Sequence, residues 1–215
     1  GHSVLLSGRK DGFKGFNLDI SLEPKLFEFY PFRKVKNLIY LLFKFDISCF
    51  ELLYIFFRNR NHFKDYAIVQ LINEYPLKTT PYLDSLILKF IFKHNKKVIL
   101  SACGDDVTYI NYLISSDLPH HVLTPLKDNP KLKPYFKHSL NYLKPAHKKL
   151  SDFVKKNVLQ IIPGDYDYEM AYYQQDKVKP LIPFPVNIDK IRFTPLDISG
   201  KIKIFHGINR INYYK

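Results

Sequence analysis

Short runs of branched and aliphatic residues, separated by segments with helical spacing, constrain this chain more than any other feature. The runs fall at residues 3–7, 67–72, 98–102 and 158–162, with a fifth at 201–205 near the far end. Each is short and nearly continuously apolar, which is the pattern of a strand buried on both faces. Between them, residues 35–45 and 47–58 carry apolar faces. Residues 81–94 keep Leu83, Leu86, Ile87, Phe90 and Ile91 on one stripe, as a helix lying on a sheet does. Residues 135–157 have helical spacing interrupted at Pro145, and a short helix is expected over 168–173. Strand and helix in alternation predict an α/β fold, a Rossmann-like parallel sheet flanked by helices. Residues 30–62 form an unusually aromatic helical insertion, read here as core in preference to a surface resting on lipid.

The stretch 180–200 differs in kind. Pro180, Pro183, Pro185 and Pro195 stiffen it, helical periodicity is lost, and Ser199-Gly200 precedes the fifth strand. That is the composition of an interdomain connector. The expected organisation is one domain over 1–179, a linker over 180–200 and the start of a second domain at 201–215.

Lys and Arg outnumber Asp and Glu by 33 to 20, a net charge of +13, which draws the surface toward phosphate-bearing partners. Lys, Ile, Asn, Tyr and Phe are abundant together, so part of the excess reflects composition. Cys49 and Cys103 lie far apart in apolar surroundings without metal-ligand spacing, so neither a disulfide framework nor a metal is expected. A reducing cytoplasmic setting fits, with attachment at the inner face of a membrane left open. The apolar region 38–57 is interrupted by Lys44, Asp46 and Glu51, against a spanning helix.

Ligands of open parallel sheets bind beyond the carboxyl ends of the strands, so the loops there hold the candidates. After the first run come Gly8, Gly12 and Gly15 with Arg9, Lys10 and Lys14, either an anion-holding loop or plain surface. After the second come Asn73 and Glu74, able to reach a cleft, then Thr79 or Thr80 as a helix cap. The third loop, Cys103-Gly104-Asp105-Asp106, is a glycine turn into an acidic helix start. Asp105 is read as the cap, and Asp106 as either helix-start acid or a group that takes a proton from an acceptor. The acids of Asp165, Asp167 and Glu169 are explained by the start of the next helix. His120 and His121 read as an exposed pair. Lys144, Lys148, Lys149, Lys155 and Lys156 form a solvated basic face, which near an anionic leaflet gains about 1 kcal/mol per residue. After the last strand, Gly207 provides a turn, with Arg210 and Lys215 spaced to clamp a diphosphate.

Four stretches together resemble bacterial GT-B glycosyltransferases of the family-4 kind that build surface polysaccharides. Gly1-His2-Ser3-Val4 looks like the opening of the second strand of the first domain. Ser101-Ala102-Cys103-Gly104-Asp105-Asp106 looks like the loop where relatives often carry histidine before Gly-x-Asp. Here Cys103 takes that place. Pro183-Phe184-Pro185-Val186-Asn187-Ile188-Asp189 is similar to the interdomain motif, and Phe205-His206-Gly207-Ile208-Asn209-Arg210 with Lys215 to the start of the donor domain. The resemblance implies a first strand and glycine loop before Gly1 and a donor domain after Lys215, so that residues 1–215 alone do not catalyse transfer. It implies a nucleotide-sugar donor, a saccharide or lipid-linked acceptor and no cofactor. Gly207, Arg210 and Lys215 would hold the donor diphosphate, and Arg9, Lys14, Asn73, Glu74, Cys103, Gly104 and Asp105 would line the acceptor cleft, with Asp106 catalytic. The alternatives are another Rossmann-like nucleotide-sugar enzyme, or a basic nucleic-acid-binding protein. The latter is disfavoured as a partner class because the aromatics lie mainly within apolar runs and not between basic residues.

Overall fold

The structure is a computed structural model that describes residues 3–9 and 17–182. Lys10, Lys14, the linker motif at 183–189, the strand at 201–205 and Gly207, Arg210 and Lys215 lie outside the described residues.

In chain order the elements are β1 (Ser7–Gly8), β2 (Ile20–Ser21), α1 (Tyr30–Phe43), α2 (Ser48–Arg58), β3 (Val69–Leu71), α3 (Pro81–His94), β4 (Val98–Ala102), α4 (Val107–Ser115), α5 (Thr124–Asp128), α6 (Lys137–Asn141), α7 (Pro145–Asn157), β5 (Gln160–Pro163) and α8 (Tyr166–Ala171). Single 3₁₀ turns stand at Leu26–Glu28, Arg60–Phe63 and Pro130–Leu132. The strands form two parallel sheets. β1 pairs with β2, and β3, β4 and β5 lie side by side in that order. The fold is therefore α/β with parallel strands flanked by helices, as the alternation of runs predicts.

Local chemistry sets the boundaries. Thr80 caps α3 by accepting from the Leu83 amide at 3.2 Å, and Pro81 at the first position loses no helical bond. Asn95 closes the same helix: its amide donates to the carbonyls of Ile91 and Phe63, while its oxygen accepts from Tyr66 N. α7 also begins on a proline, which is why the helical spacing over 135–157 breaks into α6 and α7. The ammonium of Lys177 ends α7, donating to the carbonyls of Lys155, Lys156 and Val158 at 2.8–3.0 Å. These carbonyls have no partner within the helix, so a cation there satisfies both their bonding and the helix dipole.

Leu71, Leu77, Ile87, Leu88, Ile91, Val98, Leu100, Val154 and Ile161 bury against the sheet, joined by Leu52, Phe56 and Phe63. At about 1.5–3 kcal/mol for each fully buried aliphatic or aromatic side chain, this cluster is the main stabilising mass of the fold. A second cluster of Val107, Ile110, Leu113, Leu123, Phe136 and Tyr142 ties α4 to the segment running through α5 and α6.

Two expectations need correction. Residues 30–62 divide in two: α2 buries Cys49, Leu52 and Phe56, but α1 buries nothing, and among the described residues its main packing is on the short turn Leu26–Glu28. The first strand is confined to Ser7–Gly8, since its partner β2 offers only two residues to pair with. Among the described residues, no helix is long and apolar enough to cross a membrane.

Candidate functional site

The carboxyl ends of β3 and β4 are stitched together by the loops that leave them. Asn73 donates through Nδ2 to the carbonyls of Cys103 at 2.8 Å and Asp105 at 3.1 Å, and its Oδ1 accepts from Tyr75 N. The Cys103 thiol donates back to the Ile72 carbonyl at 2.7 Å. Gly104 sits at φ +72°, a left-handed conformation that glycine adopts without the steric penalty of a side chain. Its carbonyl accepts from the Tyr168 hydroxyl, and the Tyr168 ring stacks on Tyr109 at 4.4 Å. The loop after β4 is thereby held from three elements.

That loop turns its two aspartates in opposite directions, reversing the expected assignment. Asp106, not Asp105, is the N-cap of α4. It accepts from Tyr109 N at 2.7 Å and from the Tyr172 hydroxyl at 2.8 Å, and it is 1% exposed. A carboxylate so enclosed has no access to a substrate, which corrects the expected catalytic role of Asp106. Asp105 stands at the half-exposed surface. Its carboxylate accepts from the Ser139 hydroxyl and lies 3.7 Å from His138 Nδ1. Burial pushes its carboxyl up, but His138, Ser139 and the charge of Lys78 together outweigh that and hold it below the usual carboxylate range. Asp105 is the ionised, reachable group of the site.

Glu74 lies behind this surface at 2% exposure, which corrects the expectation that it lines the cleft. One oxygen accepts from Val107 N at 2.8 Å, at the start of α4. The other is buried beside the Ser151 hydroxyl, with neither in a hydrogen bond of normal geometry, although the hydroxyl's nearness lowers the carboxyl slightly. Burial, and then repulsion from Asp106, push Glu74 up to about 7. Burial pushes Asp106 up in turn, against the pull of its hydrogen bonds and of Lys155. Lys155 is correspondingly drawn inward from the basic face of α7, donating to Thr108 Oγ1 with its ammonium 5.5 Å from the Tyr172 ring centroid. The buried Glu74 and Asp106, with the half-buried Lys155 near enough to act on both electrostatically, lie under the site where α4, α7 and α8 meet.

Sequence reasoning missed the groups that complete the surface. His138 and Ser139 come from α6, more than thirty residues beyond Asp105. Tyr75, Tyr142 and His147 form an aromatic wall, with His147 centred 4.9 Å from Tyr75 and 5.1 Å from Tyr142. No sequence signal joins them: only His138 and Tyr142 stand four apart, and Pro145 opens a new helix before His147.

Other expected residues fall elsewhere. Arg9 pairs with Glu23 at 4.0 Å, and its charge reaches Tyr75 and Cys49. Asp165 caps α8, as helix-start acid chemistry predicts. His120 is exposed, but His121 is half-buried and its Nδ1 accepts from Leu123 N, so the two are not an exposed pair. Both border an open pocket of about 440 Å³ next to α5, remote in sequence from the strand ends. Among the described residues, no group of three or more His, Cys, Asp or Glu is placed to hold a metal ion.

The surface joins an ionised carboxylate, an imidazole and a hydroxyl over an aromatic wall. Such a set accepts hydrogen bonds from hydroxyl groups, stacks on an apolar ring face and can pass a proton between them. No family model, curated protein or solved structure matches the chain.

Proposed function

We propose that residues 1–179 belong to the acceptor-side half of a GT-B-type glycosyltransferase, moving a sugar from a nucleotide diphosphate to a hydroxyl of a saccharide or lipid-linked acceptor. The observation that carries this reading is the Asp105–His138–Ser139 group at the carboxyl edge of β3 and β4, where parallel α/β sheets bind their ligands. The four stretches of sequence resemblance support it independently.

In this reading Asp105 orients the acceptor hydroxyl, and His138 relays its proton as the new glycosidic bond forms. Relatives often carry histidine at the position of Cys103, and here the imidazole beside that loop comes from α6. Asn73 and Gly104 set the loop's shape, and the half-buried Tyr75 and His147, backed by the buried Tyr142, offer apolar ring area to a sugar. The donor diphosphate falls to Gly207, Arg210 and Lys215, which belong to the second half, so transfer requires both.

Calorimetric titration of the chain with neutral oligosaccharides tests the proposal. Binding that is lost in Asp105→Asn and His138→Ala, while both variants still unfold cooperatively with at most a small drop in melting temperature, is the expected result. Absence of saccharide binding together with a salt-sensitive shift of nucleic acid would refute it and favour a phosphate-backbone partner.

A further inference from the structure

Helix α1 is the least explained element of the fold. It runs for fourteen residues with none buried, and it contributes to neither core cluster among the described residues. Its main contacts among the described residues are with the turn Leu26–Glu28, where Phe27 meets Phe32 edge-on at 6.4 Å. A helix of this length is marginal in water without a packed face. Its sequence nevertheless segregates sharply. At about 100° per residue, Phe32, Val35, Leu38, Ile39, Leu42 and Phe43 gather on one side. Leu38, Leu42 and Phe43 are 57%, 64% and 72% exposed. Arg33, Lys36, Asn37, Tyr40 and the exposed Leu41 take the other side, with Lys34 at the margin and Lys44 at the C-cap. Between Glu28 and Asp46 there are four basic residues and no acidic one. Arg33 and Lys34 lie over the Tyr30 ring, and Lys44 lies near Tyr40, so the cations are held close to aromatic rings along the helix.

We propose that α1 is an interfacial helix that lies in the surface of an anionic lipid bilayer, with its apolar side among the acyl chains and its basic residues at the headgroups. The chemistry selects lipid over the other occupants. A second copy of the chain docking by the same face would cover the apolar side but leave these four cations without a counter-charge. Residues 183–215 carry six Lys and Arg against two Asp, so they too lack charge complementarity. A nucleic-acid strand needs exposed aromatics on which bases stack; Tyr30 and Tyr40 do lie beside the cations, but the opposite side is exposed through Val35, Leu38 and Leu42, aliphatic side chains that base stacking does not use. An anionic leaflet satisfies both sides at once. The basic face of α7 is the weaker candidate: no large apolar side chain is exposed between Lys144 and Asn157, so it has nothing to insert. This inference stands apart from the proposed activity, because it rests on no residue of the Asp105 site.

The test is flotation of the intact chain with vesicles of phosphatidylcholine alone and of phosphatidylcholine mixed with phosphatidylglycerol. Binding to the mixed vesicles is expected, with little to the neutral ones. Lys34→Glu and Lys36→Glu should each weaken binding at least about fivefold, the factor for one basic residue near an anionic surface. Leu38→Asp combined with Leu42→Asp should abolish it, with an unchanged melting curve because both side chains are exposed. The proposal is overturned if the mixed vesicles do not retain the chain. It is equally overturned if Lys148→Glu with Lys149→Glu releases the chain while the Leu38/Leu42 variant still binds. A dimer in lipid-free solution that the Leu38/Leu42 variant dissociates would assign the face to a second copy, and single-stranded nucleic acid bound through the same side chains would assign it to that partner. Either result refutes the lipid reading.

Discussion

Replacing Glu74 by glutamine takes the titratable proton from one member of the buried Glu74–Asp106 pair while keeping an oxygen for the Val107 amide, 2.8 Å away. The ordinary value for this carboxyl is 4.5 and the folded value is about 7, raised first by burial and then by Asp106. A carboxyl raised in the folded state favours the native fold in its protonated form. Its contribution is therefore fully present below about pH 4.5, declines through the interval, and is lost above about pH 7. The gap corresponds to about 3 kcal/mol at 1.36 kcal/mol per pKa unit. His121 and His147 are held below their ordinary 6.5 by burial, so their contribution runs the other way and falls as the pH drops. Comparing Glu74→Gln with the parent protein at each pH cancels both histidines. The assay is denaturant unfolding between pH 5 and pH 8, followed by far-ultraviolet dichroism because the chain has no tryptophan. The variant should gain on the parent as the pH rises, approaching about 3 kcal/mol at pH 8. A pH-independent loss would refute the reasoning, because it would mean that Glu74 is ionised in the fold and neutralised by a cation such as Lys155.

Three other substitutions probe the frame of the site. Asp106→Ala removes the cap of α4 and leaves the buried Tyr172 hydroxyl without its acceptor. It should cost about 2–4 kcal/mol in chemical unfolding, with Asp106→Asn costing much less. Gly104→Ala meets no atom closer than Asn73 Nδ2 at 3.8 Å, so only the left-handed backbone at φ +72° opposes it. A loss of about 1 kcal/mol is expected from thermal melts. Lys177→Met strips three carbonyls at the end of α7 of their donor. It should lower stability by about 1–3 kcal/mol and speed amide exchange at Val158 and Leu159 before other sites.

The elements that sequence located best are those whose own residues decide their limits. β4 and α3 occur over the expected residues, because one is a branched apolar run and the other starts on Thr80-Pro81 and stops at Asn95. The shift of β5 to Gln160–Pro163 has a local reason also: Val158 closes α7 through its amide to Val154 and cannot also open a strand. α1 was misjudged as core because periodicity reports that a helix has an apolar face and says nothing of whether another element covers it. The site was half legible. Asn73, Gly104 and Asp105 follow from the rule that ligands gather at strand ends. The exchange of roles between Asp105 and Asp106 depends on one backbone turn at Gly104. The approach of His138 and Ser139 depends on tertiary packing of α6, and neither leaves a local mark in sequence. Burial of Glu74 likewise follows from the packing of α4 and α7 above it.

Mapping of backbone amide shifts during titration with an acceptor-type oligosaccharide tests the central claim most directly. The account predicts that Asn73, Gly104, Asp105, His138 and Ser139 move together and saturably, that Asp105→Asn suppresses the whole set, and that Lys148 and Lys149 stay still. Shifts confined to the pocket beside α5, or no saturable shift with any saccharide, would contradict it.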